Sequence, residues 1–214
     1  MTAYRLLEIE HLTKRTFRLR TERPDCPIKA GQCFNLGLPG MGINREYSMY
    51  SGADAPYLDF LIRAIDGGLV SSQLQNARIG DLIEIDGPYG EFCLREPVDT
   101  TAKHLFVATG TGIAPFHSFV TTFPNLVYIM LHGVRAENER YHAQDYANGN
   151  YIGCISRPSD GSPAQRVTDY LAVHPILPDT IVYLCGNKSM IIEVYELLSK
   201  QGIYSSQILT EVFF

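Results

Sequence analysis

The segment Thr109-Gly110-Thr111-Gly112-Ile113-Ala114-Pro115 combines residue types that could bind phosphate. It follows an apolar run, His104–Ala108, and precedes a helical pattern, so it predicts a strand, a glycine-rich turn and a helix start. Backbone N–H groups converge at such a turn, and glycines let an anion approach closely. Pro115 stands where the dinucleotide fingerprint has its third glycine. The segment predicts a dinucleotide pyrophosphate site, with a turn that only packs a helix on a sheet as the alternative.

Basic side chains follow the next two predicted strands. Arg135 stands about 20 residues past the glycines, where NAD-binding folds usually have an acidic residue for the ribose. Ser156 and Arg157 end the third strand, and Arg166 comes soon after. Arginines and a hydroxyl at neighbouring strand ends suit a 2′-phosphate dianion. Each arginine alone is better explained as a solvated surface residue, but together they indicate NADP(H).

Two segments of the first half could bind a second phosphate-containing group. Arg45-Glu46-Tyr47-Ser48 ends a predicted strand, and Arg45 and Tyr47 share one of its faces. There the guanidinium could neutralise a phosphate while the ring stacks on a flat heterocycle. Gly68-Leu69-Val70-Ser71 precedes a short predicted helix and offers N–H groups to a pyrophosphate. Taken alone, the two segments are equally well explained as an exposed strand arginine and a helix cap.

The elements that would carry these residues differ between the two halves. Short runs rich in β-branched and aromatic residues, separated by Gly, Pro or Asp, predict an antiparallel barrel or sandwich in the first hundred residues. The predicted strands are Tyr4–Glu10, Phe17–Thr21, Cys33–Leu38, Arg45–Tyr50, Tyr57–Ile65 and Leu82–Asp86, with a short helix at Ser71–Ala77.

After residue 98, strands and helices alternate, which predicts a parallel sheet with right-handed crossovers. We therefore expect domains at residues 1–98 and 99–214. The predicted strands are His104–Ala108, Asn125–His132, Tyr151–Ile155, Thr180–Cys185 and Ile208–Phe214. The predicted helices are Ala114–Thr121, a polar one near Asn138–Tyr146, Gln165–Ala172, and Ser189–Lys200 with Ser189 as its cap.

Composition excludes several classes of protein. Apolar residues make up 45% and charged residues 19% of the 214, which is typical of a globular chain. The net charge of −5 argues against a nucleic-acid or membrane-surface protein. Five widely spaced cysteines and six scattered histidines predict neither a disulfide framework nor a metal site. Without an apolar run long enough to span a membrane or a signal-peptide core, we expect a cytoplasmic protein.

Taken together, the motifs resemble those of the ferredoxin–NADP reductase family, most closely its bacterial ferredoxin/flavodoxin type. The resemblance covers essentially the whole chain, and the set is specific although each motif alone is not. The motifs occur in the order Arg45-x-Tyr47-Ser48, Gly68-x-x-Ser71-x-x-Leu74, Gly87-Pro88-x-Gly90, Gly110-Thr111-Gly112-Ile113-Ala114-Pro115 and Cys185-Gly186-Asn187.

This resemblance implies an N-terminal antiparallel Greek-key barrel for FAD and a five-stranded parallel αβα domain for NADP(H), with the flavin between them. It makes Arg45 the partner of the FAD pyrophosphate and Tyr47 a stacking ring, and it places Ser48 near flavin N5. Further FAD phosphate contacts are implied for Gly68, Val70 and Ser71.

For the nicotinamide nucleotide, the resemblance implies pyrophosphate contacts from the turn Gly110–Pro115 and places Cys185 beside nicotinamide C4. The C-terminal segment Glu211-Val212-Phe213-Phe214 would cover the flavin with Phe213 or Phe214, and Glu211 joins Ser48 and Cys185 as an expected catalytic residue. The 2′-phosphate contacts are implied for Arg135, Ser156, Arg157 and Arg166.

The implied function is hydride transfer between NADPH and FAD, then single-electron transfer to a ferredoxin or flavodoxin by a monomer. A reductase for an oxygenase, or for free flavins or quinones, is the alternative, and a non-catalytic binding subunit is a third. A short loop at Ser51–Pro56 also leaves FMN or exchangeable flavin open. Because the chain is acidic, a docking patch for an acidic partner would have to come from residues 5–29 and local arginines.

Overall fold

The computed structural model describes residues 2–147 and 149–213, which form eleven β-strands and four α-helices. By its contacts the chain divides into two units. One contains the chain up to Leu94 together with Ala114–Thr122, and the other contains Arg95–Ile113 and the chain from Phe123 onward. The domain limits 1–98 and 99–214 stay a prediction.

Six antiparallel strands build the first unit, in the order β4-β3-β6-β1-β2-β5. A bridge between Met49 and Phe60 and a hydrogen bond from Tyr50 N to Asp59 O (2.7 Å) join the two end strands. The sheet therefore closes, and the predicted antiparallel barrel is confirmed. The strands are β1 (Thr2–His11), β2 (Thr16–Glu22), β3 (Cys33–Gly37), β4 (Asn44–Ser48), β5 (Tyr57–Arg63) and β6 (Leu82–Tyr89), and helix α1 (Ser71–Gln75) precedes β6.

Five parallel strands build the second unit, in the order β11-β10-β7-β8-β9, which confirms the predicted sheet. Helices α3 and α4 pack on one face, over a core that includes Leu105, Leu131 and Leu184. The other face carries aromatic rings, with Phe106 between Tyr128 and Tyr183. These elements are β7 (His104–Thr109), β8 (Tyr128–Val134), β9 (Tyr151–Ile155), α3 (Val167–Val173), β10 (Ile181–Asn187), α4 (Lys188–Lys200) and β11 (Ile208–Phe213).

Helix α2 (Ala114–Thr122) follows β7 in the sequence but belongs to the first unit by its contacts. The ring of His117 stacks on that of Tyr50 with centroids 3.8 Å apart, and His117 Nδ1 lies 2.7 Å from Tyr50 O. Ala53 N donates to Thr122 Oγ1 at 2.8 Å. The loop predicted to be short, Ser51–Pro56, is thus held in place by α2.

Two local predictions are wrong. The predicted helix near Asn138–Tyr146 is replaced by 3₁₀ turns at Glu137–Glu139 and Ala143–Asp145, because His142 between them has a left-handed backbone with φ 47°. The cap of α4 is Asn187 rather than Ser189. The Asn187 side chain accepts a hydrogen bond from Ser189 N at 2.9 Å, and the helix begins at Lys188.

A cluster of ion pairs covers part of the barrel. The buried carboxylate of Asp59 accepts hydrogen bonds from Arg20 Nε (2.7 Å) and Nη2 (2.8 Å), and it also binds Arg18. Glu8 binds both guanidinium groups. The hydrogen bonds that Arg20 donates to Asp59 raise the pKa of Arg20, so this arginine stays charged.

Replacing Asp59 with Ala should destabilise the barrel by about 3 kcal/mol, because two partly buried guanidinium groups lose their shared carboxylate. Urea unfolding monitored by far-UV circular dichroism measures the change. Asp66→Ala is the matched control: Asp66 pairs with Arg15 at 2.6 Å but is exposed, so its loss should cost less than about 1 kcal/mol. Equal losses in the two variants would contradict the role of the buried cluster.

Candidate functional site

The strand order of the second unit identifies where a ligand can bind. The chain runs from β7 to β8 and β9 on one side, then returns to place β10 and β11 on the other side. The order therefore reverses between β7 and β10. In open parallel sheets, ligands bind in the crevice outside the carboxyl ends of the strands at such a switch point.

Two glycine turns meet at this edge. The 3₁₀ turn Gly110–Ile113 follows β7, and Gly186 lies near the end of β10. A Cβ atom on Gly112 would lie 2.6 Å from Cys185 O, and one on Gly186 would overlap Thr109 Oγ1. Gly186 also has φ +127°, which favours glycine. The two turns can touch only because both positions lack a side chain.

A hydroxyl and an amide fix the two turns to each other. Asn187 N donates to Thr109 Oγ1 at 2.9 Å, and Asn187 Oδ1 in turn caps α4. The sequence motifs include Thr109 and Asn187, but they do not indicate that these two residues join the turns. Each is the last residue of a largely buried strand, β7 or β10. This position is the sequence signal that could have identified them as functional residues.

The predicted arginines lie at neighbouring strand ends. Arg135 follows β8, Arg157 follows β9, and Arg157 N donates to Arg135 O at 2.8 Å. Arg166 immediately precedes α3. All three side chains are exposed, and within residues 2–147 and 149–213 none of their guanidinium groups has a carboxylate within ion-pair distance. The structure thus brings Arg135 and Arg157 together as cations that an anion could bind.

A cavity of about 280 Å³ lies at the carboxyl end of β9. Its lining includes Ile155, Pro158 and Gln165, together with the carboxylates of Glu137 and Asp160. Asp160 accepts a hydrogen bond from Ser162 N at 3.0 Å, and Glu137 pairs with Arg140. Ser156, predicted to bind phosphate, donates to Val134 O at 3.2 Å. The Ser156 hydroxyl can still accept a hydrogen bond, or rotate to donate to another acceptor.

Cys185 and Glu211 are paired on adjacent strands. Cys185 Sγ lies 3.6 Å from Glu211 Oε2, and the cysteine is fully buried. Burial, followed by the charge of Glu211 and the hydrogen bond, raises the pKa of Cys185 well above its usual value. Because the thiol stays protonated, this cysteine is a neutral donor and not a thiolate nucleophile.

In the barrel, the arginine-tyrosine segment has the predicted geometry of a strand. Arg45 and Tyr47 lie two residues apart in β4, whereas Ser48 is buried. Arg45 is exposed, donates to Asn44 O at 2.7 Å and has no carboxylate partner among the described residues. Burial raises the pKa of Tyr47 to about 12, so its hydroxyl stays neutral.

The second barrel segment is a tight turn before α1. Gly68 N donates to Ile65 O at 2.8 Å, and Ser71 Oγ accepts from Ile65 N at 3.2 Å. A Cβ on Gly68 would lie 2.8 Å from Ser71 Oγ, so this turn favours glycine there. Val70 immediately precedes the helix and is buried.

At the C-terminus, Phe213 pairs with Asn187 at the end of β11 and is half-buried. Phe214 lies outside the described residues. Which of the two phenylalanines would cover a flavin therefore stays a prediction.

Both halves of the chain match known domain families. Residues 5–93 match the oxidoreductase FAD-binding domain, and residues 106–195 match the oxidoreductase NAD-binding domain. A curated ferredoxin–NADP reductase of Azotobacter vinelandii is 27% identical over 240 residues, which is 93% of this chain and 89% of that protein. The chain belongs to the ferredoxin–NADP reductase family.

Several curated relatives are longer than this chain. The toluate 1,2-dioxygenase electron transfer component of Pseudomonas putida is 32% identical over 197 residues, which is 86% of this chain but 58% of that protein. This chain spans 58 to 64% of the length of the first three curated relatives it matches.

A solved relative agrees with the fold of the whole chain. The ferredoxin NADP⁺ reductase of Neisseria gonorrhoeae, with bound FAD and NADP, has a TM-score of 0.89 and 24% identity and covers 100% of this chain and 98% of its own. The matched FAD-binding and NAD-binding domains agree with the expected flavin and nicotinamide cofactors. The described residues fit these groups, since the exposed arginines that follow β8 and β9 share the carboxyl edge of the sheet with the two glycine turns at the switch point.

Replacing Gly112 with Ala should destabilise the protein by about 1–3 kcal/mol, because the new methyl group would overlap the backbone of Cys185, which cannot rotate away. Thermal unfolding measures the loss. Gly52→Ala is the control, since a Cβ there meets Thr121 only at ordinary contact distances of 3.4 Å or more. A change below about 0.5 kcal/mol is expected for this control. A Gly112→Ala protein as stable as the control would show that the two turns are not in close contact.

Proposed function

We propose that this protein is an NADPH-dependent flavoprotein reductase. It passes a hydride between NADPH and FAD, and single electrons between FAD and a small electron-carrier protein such as ferredoxin or flavodoxin. The observation that carries the proposal is the group of unpaired arginines beside the glycine turn of the switch point. The matches to an FAD-binding and an NAD-binding domain support it. Cytoplasmic location and a monomeric state stay predictions of the sequence.

The nicotinamide nucleotide would be held by the edge of the parallel sheet. Peptide N–H groups of Gly110, Thr111 and Gly112, at the turn after β7, would bind its pyrophosphate. Pro115 has no peptide N–H and would contribute to this segment only by its fixed backbone angle. The 2′-phosphate would be bound by Arg135 and Arg157, with Ser156 and Arg166 at the same edge. Guanidinium groups suit a phosphate dianion because they donate two parallel, charge-assisted hydrogen bonds.

The flavin would be held by the barrel. Arg45 would neutralise its pyrophosphate, with Gly68, Val70 and Ser71 as further phosphate contacts. The neutral ring of Tyr47 would stack on a flat heterocycle, and Phe213 or Phe214 would cover the other face. The exposure of Arg45, and its lack of a carboxylate partner within residues 2–147 and 149–213, support this role.

When bound, FAD supplies the exchange between two-electron and one-electron transfer. The contribution of the chain is orientation and electrostatics. Ser48 and Cys185 each offer a neutral hydrogen-bonding group, and Glu211 keeps the Cys185 thiol in place. Because the raised pKa keeps this thiol protonated, no charge develops at Cys185 when the nicotinamide ring enters or leaves.

A second candidate is a reductase component that supplies an oxygenase. In the stretch 5–29, Arg5, Arg15, Arg18 and Arg20 are each paired with a carboxylate. The expected docking patch from this stretch is therefore largely neutralised, which weakens the argument for an acidic carrier docking there. The toluate 1,2-dioxygenase relative supports the same alternative.

The purified protein should be yellow, and NADPH should bleach its flavin absorption without oxygen. Ferredoxin, flavodoxin and an oxygenase component are then compared as electron acceptors under the same conditions. A colourless protein that binds no added FAD contradicts both candidates. Reduction of an oxygenase component together with failure to reduce any ferredoxin or flavodoxin favours the second candidate.

Arg45→Ala should weaken FAD retention about tenfold or more, because a charge-assisted hydrogen bond to the pyrophosphate contributes about 1.5–3 kcal/mol. Flavin content after gel filtration and FAD titration of the stripped protein measure the effect. Arg78→Ala serves as control, since Arg78 is also an exposed barrel arginine but has no proposed contact with FAD. Full flavin content in the Arg45→Ala protein contradicts the assignment.

Arg157→Leu should raise KM for NADPH about tenfold, since one charge-assisted bond to the 2′-phosphate is lost. The KM for NADH should barely change, because NADH lacks that phosphate. Steady-state reduction of ferricyanide by each nucleotide gives both values. Equal efficiency of the unmutated protein with NADPH and NADH would count against the proposed role of the arginines.

A further inference from the structure

A buried histidine lies directly beneath the turn after β7. His132 belongs to β8 and is completely buried. Its Nε2 atom lies 2.8 Å from Gly110 O, and its Nδ1 atom lies 2.8 Å from the hydroxyl of Tyr151 on β9. From the sequence alone, His132 is expected to be a structural or surface residue.

The partners of His132 determine which ring nitrogen carries the proton. Burial lowers the pKa of His132 to about 4, so the ring is neutral near pH 7 and has one N–H. The carbonyl of Gly110 can only accept, so this N–H is on Nε2. Nδ1 must then accept from the Tyr151 hydroxyl, which stays protonated because burial raises the pKa of Tyr151 to about 12.

A hydrogen bond at Gly110 O also fixes the next peptide N–H. The Gly110–Thr111 peptide is trans, and in a trans peptide the carbonyl and the following N–H point in opposite directions. With the Gly110 carbonyl directed at His132, the Thr111 N–H is directed away from the sheet interior. At the first residues of a helical turn such N–H groups have no intrahelical partner. Gly110 reaches this orientation with φ +54°.

We propose that His132 is a positioning residue for dinucleotide binding: held by Tyr151, it orients the Gly110–Thr111 peptide so that the Thr111 N–H faces the pyrophosphate. The inference rests on the proposed function. Without this bond the carbonyl oxygen is free to turn toward the ligand, where it would repel a phosphate. His132 therefore selects one of two peptide orientations and touches no ligand itself.

Further residues hold the pair in place. Arg140 Cζ lies 5.3 Å from the centroid of the Tyr151 ring, and Arg140 pairs with Glu137. A Cβ on Gly153 would lie 2.9 Å from Arg140 Nε, so the side chain fits there because position 153 is glycine. The charge of Arg140 also lowers the pKa of His132, which helps keep the ring neutral. The pair thus connects the glycine turn to the cavity that Glu137 lines.

The test compares two ligands by isothermal titration calorimetry of the flavin-containing protein. NADP⁺ carries both the pyrophosphate and the 2′-phosphate, whereas adenosine 2′-monophosphate carries only the 2′-phosphate. His132→Leu should weaken NADP⁺ binding about tenfold, by loss of a hydrogen bond that orients a charge-binding N–H, and leave adenosine 2′-monophosphate binding unchanged. With NADPH as substrate, KM should rise while kcat stays close to its original value.

His132→Gln should restore most of the NADP⁺ affinity, because the glutamine amide can place an N–H near the position of Nε2. Tyr151→Phe should weaken NADP⁺ binding about threefold in the native background, since Nδ1 loses its donor. It should have no further effect in the His132→Leu protein, because the two residues act through one contact. If His132→Leu does not fold, the Gln and Phe variants decide the question.

Unchanged NADP⁺ binding by a folded His132→Leu protein would overturn the inference. So would equal weakening of both ligands, because that result indicates general damage to the sheet edge. A native protein that binds neither ligand contradicts the proposed function, and the inference falls with it. In a further outcome, the native protein binds both ligands and the His132 and Tyr151 variants bind NADP⁺ with the same affinity as the native protein. That result contradicts the role of His132 but leaves the proposed function intact.

Discussion

The carboxyl edge of the parallel sheet depends on the close approach of two backbone turns. Gly112 packs against the carbonyl of Cys185, and Gly186 packs against Thr109. Since these contacts are with backbone atoms or with the short side chain of Thr109, a rotamer change gives little relief from an added methyl group. The contact holds the ends of β7 and β10 together at the one place where the strand order reverses. Anchored in this way, the turn after β7 can present its N–H groups in a fixed direction.

Most of the architecture could be predicted because it follows from local patterns. The apolar strands of the second half are buried on both faces, which produces continuous runs such as His104–Ala108. In a parallel sheet the carboxyl ends of all strands share one edge, so residues that follow each strand must be neighbours. This rule predicts that Arg135 and Arg157 lie at one edge of the sheet, and the hydrogen bond from Arg157 N to Arg135 O agrees with it. Short strands with turn residues likewise predicted the barrel.

The details that could not be predicted depend on contacts between residues far apart in the sequence. The cap of α4 moved to Asn187 because that residue is fixed by Thr109, 78 positions earlier. A helix near Asn138–Tyr146 is absent from this described segment because Tyr141 and Tyr146 are buried, and the chain bends at His142 to allow this. His132 looked like an ordinary strand residue, since its partners Gly110 and Tyr151 come from two other elements. Periodicity carries no information about such pairings.

The pairing of charged side chains is another property that the sequence pattern does not predict. Arg20 and Arg157 are equally basic in the sequence, yet one is bound by a carboxylate 39 residues away and the other has no carboxylate partner among the described residues. An arginine that is already paired contributes little to the attraction of an anion, because its field is cancelled locally. The acidic balance of the chain therefore says little about what it binds. Anion binding depends on which guanidinium groups the fold leaves without a carboxylate partner among the described residues. Arg135 and Arg157 are two such groups, and they lie at the sheet edge that also carries the Gly110 turn. A net acidic protein can thus present a surface suited to an anion, because the pairing of its charges matters more than their sum.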